Sequence, residues 1–219
     1  MIIHSIILAR GGSKSIKNKN LILLKKKPLL YWSINRSRLS KLISHTWVSS
    51  DSKRILNIAE KYGAKVIKRP KILAKDGSTS ESAWIHAIEH IKKDHNIDLV
   101  VGIQPTSPIR KNSDFDNAIK LFIKKKFDSM FSSNKIHDFN TWKYKNKKLV
   151  SNYNFKKRKR RQDIHNFYLE NGSFYIFKTN TFLKEKNRLF GKIGQFEMKK
   201  EASFQLDDVV DLKIIRLFI

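Results

Sequence analysis

The residue types with the most chemical potential gather near the start of the chain. Arg10, Gly11, Gly12, Ser13 and Lys14 follow an apolar run from Ile2 to Ala9 and lead on to Lys19 and Asn20. Glycines let backbone N–H groups approach an anion closely, while Arg10, Lys14 and Lys19 surround the turn with positive charge. Fixed donors with cations facing them suit a polyphosphate. The spacing is neither G-x-x-x-x-G-K-[ST] nor G-x-G-x-x-G, so neither of those two phosphate loops is present. Taken alone, the segment reads first as a solvated basic turn after a strand. The case for chemistry rests on what the rest of the chain places beside it.

Strand and helix patterns alternate over the first half. The run Ile2–Ala9 is short, rich in β-branched residues and closed by glycine, as a buried strand is. Further strands are expected over 45–50, 64–68 and 98–103, the last a continuous apolar run suited to a sheet covered on both faces. Leu21 to Leu24 reads as a short extended piece. Helices are expected from Leu29 to Ser40, after an Asp51 or Ser52 cap, from Ser78 with a Ser78–Glu81 capping box, and around Phe115, Ala118, Ile119 and Phe122. This alternation predicts an α/β sheet with helices on both faces. Ligands in such sheets sit beyond the carboxyl ends of the strands. There the chain carries Arg10 to Asn20, Asp51, Arg69 and Gln104 to Arg110. Beyond residue 126 the pattern changes to strands at 129–133, 173–178 and 192–198, a hairpin over 142–150 and a final helix ending near Ile219. One domain is expected, with residues 134–168 projecting as an arm.

Composition bounds the alternatives. The 219 residues are 40% hydrophobic and 11% aromatic, enough for a full core. There is no cysteine, so neither a disulfide framework nor a thiolate zinc site exists. No run approaches membrane-span length and no signal-peptide pattern opens the chain, so a soluble cytoplasmic protein is expected. The net charge of +27 permits nucleic-acid binding and equally suits a small polyanionic substrate. Lysines are scattered rather than gathered into a stripe, which weighs against nucleic acid. The one cluster, Lys156 to Arg161, reads as a solvated arm.

The segments Leu8-Ala9-Arg10-Gly11-Gly12-Ser13-Lys14 with Lys19-Asn20, Val48-Ser49-Ser50-Asp51, Arg69-Pro70, Leu73-Ala74-x-Asp76 and Gln104-Pro105-Thr106-Ser107-Pro108-x-Arg110 form an ordered set. It continues through Arg161-Gln162-Asp163, Glu170-Asn171-Gly172-Ser173-Phe174-Tyr175-Ile176 and Phe204-Gln205-Leu206-Asp207-Asp208 with Asp211. In that order, over nearly the whole chain, the sequence resembles the acylneuraminate cytidylyltransferases, the CMP-sialic acid synthetase family. The resemblance implies a three-layer, Rossmann-like, mostly parallel nucleotidyltransferase sheet with a protruding β-arm for dimerisation. It implies that CTP and a nine-carbon acidic sugar give a CMP-sugar and pyrophosphate, with Mg²⁺ on the phosphates. A slight preference falls on the branch acting on legionaminic-acid-like sugars. The 3-deoxy-manno-octulosonate cytidylyltransferases are the less similar alternative, and a basic nucleic-acid-binding protein is the rival from another class.

The resemblance also implies roles. Arg10, Ser13 and Lys14, with the backbone of Gly11 and Gly12, would hold the triphosphate, and Lys19 would stabilise charge at the α-phosphate. Asn20 would help hold the nucleotide, with Arg69 and Ser80 on its cytosine and ribose side. Gln104, Asn171 and Tyr175 would meet the sugar, and Arg161 and Gln162 would reach a partner's site across a homodimer. Relatives often carry Asp-x-Asp before the last helix, where this chain has Gln205-x-Asp207. Asp207 is then the leading metal ligand, with Gln205 and Asp208 beside it, although an amide is a poorer Mg²⁺ ligand than a carboxylate. Asp211 is read as helix N-terminal charge. His86-x-x-Glu89-His90 fits an inverted zincin pattern but lies on a helix with a good apolar stripe, so ordinary packing is expected. Residues 212–219 read as a helix on the sheet rather than on a membrane.

Overall fold

The computed structural model describes residues 1–13, 15–136, 140–163 and 167–219. Its strands are β1 (Ile3–Leu8), β2 (Leu23–Leu24), β3 (Lys27–Pro28), β4 (His45–Ser50), β5 (Lys65–Lys68), β6 (Leu99–Ile103), β7 (Ser129–Lys135), β8 (Trp142–Lys145), β9 (Lys148–Ser151), β10 (Tyr168–Lys178) and β11 (Ile193–Glu197). Seven form one sheet in the order β11-β7-β10-β6-β1-β4-β5. Only β10 runs antiparallel to its neighbours in that sheet. The pairs β2–β3 and β8–β9 are separate two-stranded hairpins.

Side-chain alternation along β1 divides the molecule into layers. Ile3 and Ile7 join an apolar cluster with Leu30, Ile34, Ile55, Ala59, Phe115 and Phe122. Those residues belong to α1 (Leu29–Arg38), α2 (Lys53–Lys61) and α4 (Asp114–Lys124). Ile6 faces the other way, into a cluster with Trp84, Ala87, Ile88 and Phe182 from α3 (Ser80–Ile91) and α5 (Thr179–Glu185). The result is the expected sheet between two helical layers. A third, small cluster joins the two ends of the chain. Leu24 and Leu29 pack with Leu206 and with Ile215 of α6 (Val209–Phe218).

Local details depart from expectation for identifiable reasons. Thr79, not Ser78, caps α3, its side chain accepting from the Ser82 N–H at 3.1 Å. Ser78 Oγ instead donates to the Ile72 carbonyl at 2.8 Å, and Glu81 pairs with Arg188 at 2.6 Å. A guanidinium is a stronger partner for a carboxylate than a capped backbone N–H. Ser52 is the cap residue of α2 but makes no side-chain cap bond, and Asp51 is used elsewhere, as described below. Strand β10 begins at Tyr168 rather than Ser173, crossing a register shift between Glu170 and Tyr175. Helix α5 has no capping side chain, so no start signal advertised it. Within 134–168, Asn134 and Lys135 belong to β7 and Tyr168 to β10, with the exposed β8–β9 hairpin between. Its turn uses Asn146 and Lys147 at φ 50° and 60°, the left-handed pair that suits a tight hairpin.

At the amino end of β1, His4 is buried and accepts from Trp47 Nε1 at 3.3 Å. Burial, with His45, His95 and Lys65 adding repulsion, pushes its imidazole down to about 4. The unfolded chain therefore takes up a proton near pH 6.5 that the folded chain refuses until about 4. The resulting stability is complete above pH 6.5 and is lost as pH falls through that window, by about 3 kcal/mol. We expect urea unfolding of the native chain to show this loss between pH 7 and 4. The His4→Gln variant, which keeps an acceptor for Trp47 but cannot titrate, should show a loss smaller by about that amount.

Candidate active site

Beyond the carboxyl ends of β1, β5 and β6 lies a cleft of about 520 Å³. The loop after β1 forms one wall through Arg10, Ser13, Lys19 and Asn20, and Arg69 and Ser80 contribute a second. Gln104 follows β6, while Gln205 and Asp207 close the cleft from the turn before α6. Nine residues expected at the site thus surround one space. Lys14 lies outside the described residues.

The loop is held by contacts that explain its glycine. The Gly11 N–H donates to Asp51 Oδ1 at 2.8 Å, tying the end of β1 to the end of β4. A Cβ at Gly11 would stand 2.9 Å from Ser52 Cβ, so the close approach requires glycine. This corrects one expectation: the Gly11 N–H serves Asp51 in the protein itself and is not a spare donor for phosphate. Gly12 lies in open space, where an added Cβ meets nothing within 4 Å. Arg10 Nη1 reaches Asp76 at 2.9 Å across the cleft, and Asn20 Nδ2 donates to the Arg10 carbonyl at 2.9 Å.

Lys19 is buried, and its Nζ stands 3.1 Å from Asp207 Oδ1 although 188 positions separate them. Asp207 itself is 72% exposed. Arg69 is buried, with Nη2 donating to the Ser49 carbonyl at 2.6 Å. Burial pushes its guanidinium down to about 10, Asp51 pulling it back up and Arg10 repelling it, so it stays charged at neutral pH. Two buried polar atoms of cleft residues find no partner within the described residues: the acceptor Asn20 Oδ1 and the donor Arg69 Nε. Unpaired polar atoms cost stability unless a ligand or water serves them. An acceptor, a donor and several cations around one space suit a polyanion that also carries hydrogen-bonding groups.

Arg110, quoted in the sequence but given no role there, supports this wall from behind. Its Nε donates to Ser173 Oγ at 2.7 Å, Nη1 to Ser33 Oγ at 2.9 Å, and Nη2 to the Gln104 and Ser173 carbonyls at 2.7 and 2.8 Å. Burial pushes it down to about 9. Asp76 and Lys75 also line the cleft. Their signal in the sequence is the Leu73-Ala74-x-Asp76 segment.

Other expected site residues lie elsewhere. Asn171 is buried inside β10, its amide bonded to Ser132, Asn134 and the Ser173 N–H. Tyr175 is buried too, its hydroxyl bonded to Glu170 and its ring 4.8 Å below Arg188. Burial and the Glu170 carboxylate push that phenol up to about 12. Neither residue lines the cleft. Arg161 and Gln162 belong to a short turn in the arm, and Gln162 does not line the cleft.

Among the described residues no group of three or more His, Cys, Asp or Glu side chains converges to hold a metal. Asp208 is corrected from candidate ligand to helix cap. Its Oδ1 accepts from the Val210 and Asp211 N–H groups at 2.7 and 2.9 Å. Asp211 returns bonds from the Asp207 and Asp208 N–H groups, completing a capping box. Gln205 donates Nε2 to the Asn171 carbonyl at 2.8 Å. Asp207 is thus the carboxylate of this turn that faces the cleft. Mg²⁺ typically takes one or two protein carboxylates plus phosphate oxygens and waters, so Asp207 fits such an ion beside a bound triphosphate.

A family model described as Cytidylyltransferase matches residues 4–217. The chain is 37% identical over 216 residues to N-acylneuraminate cytidylyltransferase A of Danio rerio, covering 95% of this chain and 49% of that one. The chain thus spans about half the length of that relative. It is 32% identical to the CMP-N,N'-diacetyllegionaminic acid synthase of Campylobacter jejuni, covering 97% of this chain and 93% of the relative. Among solved structures, CMP:2-keto-3-deoxy-manno-octonic acid synthetase complexed with CTP superposes with a TM-score of 0.73. At 15% identity, over 99% of this chain and 98% of that one, it shows a shared fold.

The geometry predicts that Lys19→Met weakens binding of inorganic triphosphate by ~10-fold or more, the scale of one charged hydrogen bond. The melting temperature should change little, because Asp207 is already hydrated. Calorimetric titration with triphosphate, beside a thermal melt, checks both.

Proposed function

The chain belongs to the cytidylyltransferase family, and on that premise we propose that it transfers the cytidylyl group of CTP to a nonulosonic acid. The anomeric hydroxyl oxygen attacks the α-phosphorus as the bond to the β-phosphate oxygen breaks. CMP-sugar and pyrophosphate leave, and the hydroxyl proton passes to solvent. The observation that carries this reading is the Lys19–Asp207 ion pair, which brings the first loop and the turn before α6 together on one polyanion-sized cleft. Phosphoryl-type transfer asks a protein chiefly for positioning and charge stabilisation.

In this reading Arg10, Ser13 and Lys14 hold the β- and γ-phosphates. Lys19 turns from Asp207 to the α-phosphate, where negative charge grows as pyrophosphate departs. Asn20 Oδ1, Arg69 and Ser80 meet the nucleoside, and Gln104 the incoming sugar. Magnesium, held by Asp207 and the phosphates, would offset phosphate charge. Asn171 acts from behind the cleft, its carbonyl holding the Gln205 side chain. The sugar class is that of the relatives with sialic- and legionaminic-acid names, and the cytoplasm, where CTP is available, is the proposed location.

The arm supports a homodimer. On β8–β9, Trp142, Tyr144 and Leu149 share one exposed face while Lys143, Lys145 and Lys148 share the other. We assign the aromatic face to a second copy of this chain, with Arg161 and Gln162 reaching that copy's cleft. Analytical ultracentrifugation should find a dimer for the native chain and monomers for the Trp142→Ser/Leu149→Asp variant; an unchanged sedimentation coefficient refutes the assignment. For the reaction, CTP, Mg²⁺ and a panel of nonulosonic acids should release pyrophosphate. The Asp207→Asn variant should be slower by roughly 10²-fold or more. Absence of release with every sugar, together with tight salt-dependent oligonucleotide binding, would favour a nucleic-acid-binding protein instead.

A further inference from the structure

The turn that carries Asp207 is fastened more firmly than an exposed loop requires. The Leu206 N–H donates to the Thr106 carbonyl at 2.8 Å, and the Leu206 side chain is wholly buried. One residue earlier, Gln205 Nε2 donates to the Asn171 carbonyl at 2.8 Å. Asn171 is itself immobilised. Its Oδ1 accepts from Ser132 Oγ at 2.6 Å and the Ser173 N–H at 3.1 Å, while Nδ2 donates to Asn134 Oδ1 at 2.7 Å. Asn134 in turn donates to the Met198 carbonyl at 3.0 Å. Gly172 follows at φ +63°, and a Cβ there would stand 2.9 Å from Gln205 Nε2. The glycine is what lets the amide in.

We infer that Gln205 is a positioning residue, the clamp that couples a buried polar network between β7 and β10 to the cleft-facing carboxylate of Asp207. The Asn171 carbonyl needs a hydrogen-bond donor, which the Gln205 amide supplies and a carboxylate does not. An aspartate or glutamate at 205 would set oxygen against oxygen beside the Asn171 carbonyl, and like partial charges there repel. With Asp208 and Asp211 committed to the helix cap, the turn presents a single carboxylate to the cleft. This turn therefore brings one carboxylate to the cation site, and its amide fixes geometry rather than ligating the ion. The metal part of this inference rests on the cleft being a nucleotide site; the clamp does not.

Two measurements on the full chain separate those parts. The first is hydrogen–deuterium exchange of the ligand-free protein over residues 204–211. Gln205→Ala and Gln205→Glu should each speed exchange there by ~5-fold, the scale of one lost hydrogen bond, with exchange in the β1 and β6 cores unchanged. The second is Mn²⁺ affinity in the presence of CTP, read by electron paramagnetic resonance. Gln205→Ala should weaken it by ~3- to 10-fold, and Gln205→Asp should fail to exceed the native value. Unchanged exchange over 204–211 would overturn the clamp. Tighter Mn²⁺ binding in Gln205→Asp or Gln205→Glu would overturn the positioning role in favour of a ligand role. If the native chain binds no CTP and Mn²⁺, the nucleotide reading fails, and the exchange result still decides the clamp.

Discussion

One apolar seat holds the proposed site together. Leu206 lies wholly buried with Leu24, Leu29 and Ile215, joining the turn before α6 to the hairpin after the first loop. Burying a leucine side chain is worth ~1.5–3 kcal/mol, whereas an ion pair as exposed on its acidic side as Lys19–Asp207 is worth at most about 1 kcal/mol. The magnitudes decide which contact governs. The hydrophobic seat places the turn, and the ion pair reports where it has been placed. That division leaves Lys19 and Asp207 free to exchange one another for ligands at little cost in stability.

The charges in the cleft follow a related logic. Arg69 is fixed by the Ser49 and Leu73 carbonyls, and Asp51, whose carboxylate accepts from the Gly11 N–H, adds an electrostatic attraction to that buried cation. Arg10 meets Asp76 and Lys19 meets Asp207. Each of these two cations thus rests against an exposed carboxylate that an incoming polyphosphate can replace. The overall charge of +27 contributes a favourable long-range field, but the specificity of the arrangement lies in these local pairs.

Much of this was legible in the residues, and the exceptions share a cause. The apolar runs of β1 and β6 read correctly because burial on both faces leaves a dense hydrophobic signature. The loop from Arg10 to Asn20 and the turn from Gln205 to Asp208 stood out because their residue types serve little else. What stayed hidden depended on long-range competition between partners. Glu81 has the spacing of a capping box, yet Arg188, 107 positions away, claims it. Asp51 looks like a cap and serves Gly11 instead. Asn171 carries a ligand-like side chain but is consumed by Ser132 and Asn134. Its burial follows from the irregular pairing of β10 with β7, which no local pattern announces. Asp208 was ambiguous between metal and helix because both roles want a carboxylate at that spot, and only the observed bonds choose, whereas Asp211 serves the helix N-terminus as its position suggests.

The account requires one CTP to lie between the first loop and the late acidic turn. A crystal structure with the α,β-methylene analogue of CTP and Mn²⁺ examines that directly. The triphosphate should lie between Arg10 and Lys19, with the anomalous manganese peak beside the Asp207 carboxylate. A nucleotide bound outside this cleft, or a manganese peak coordinated by side chains other than Asp207, would contradict it.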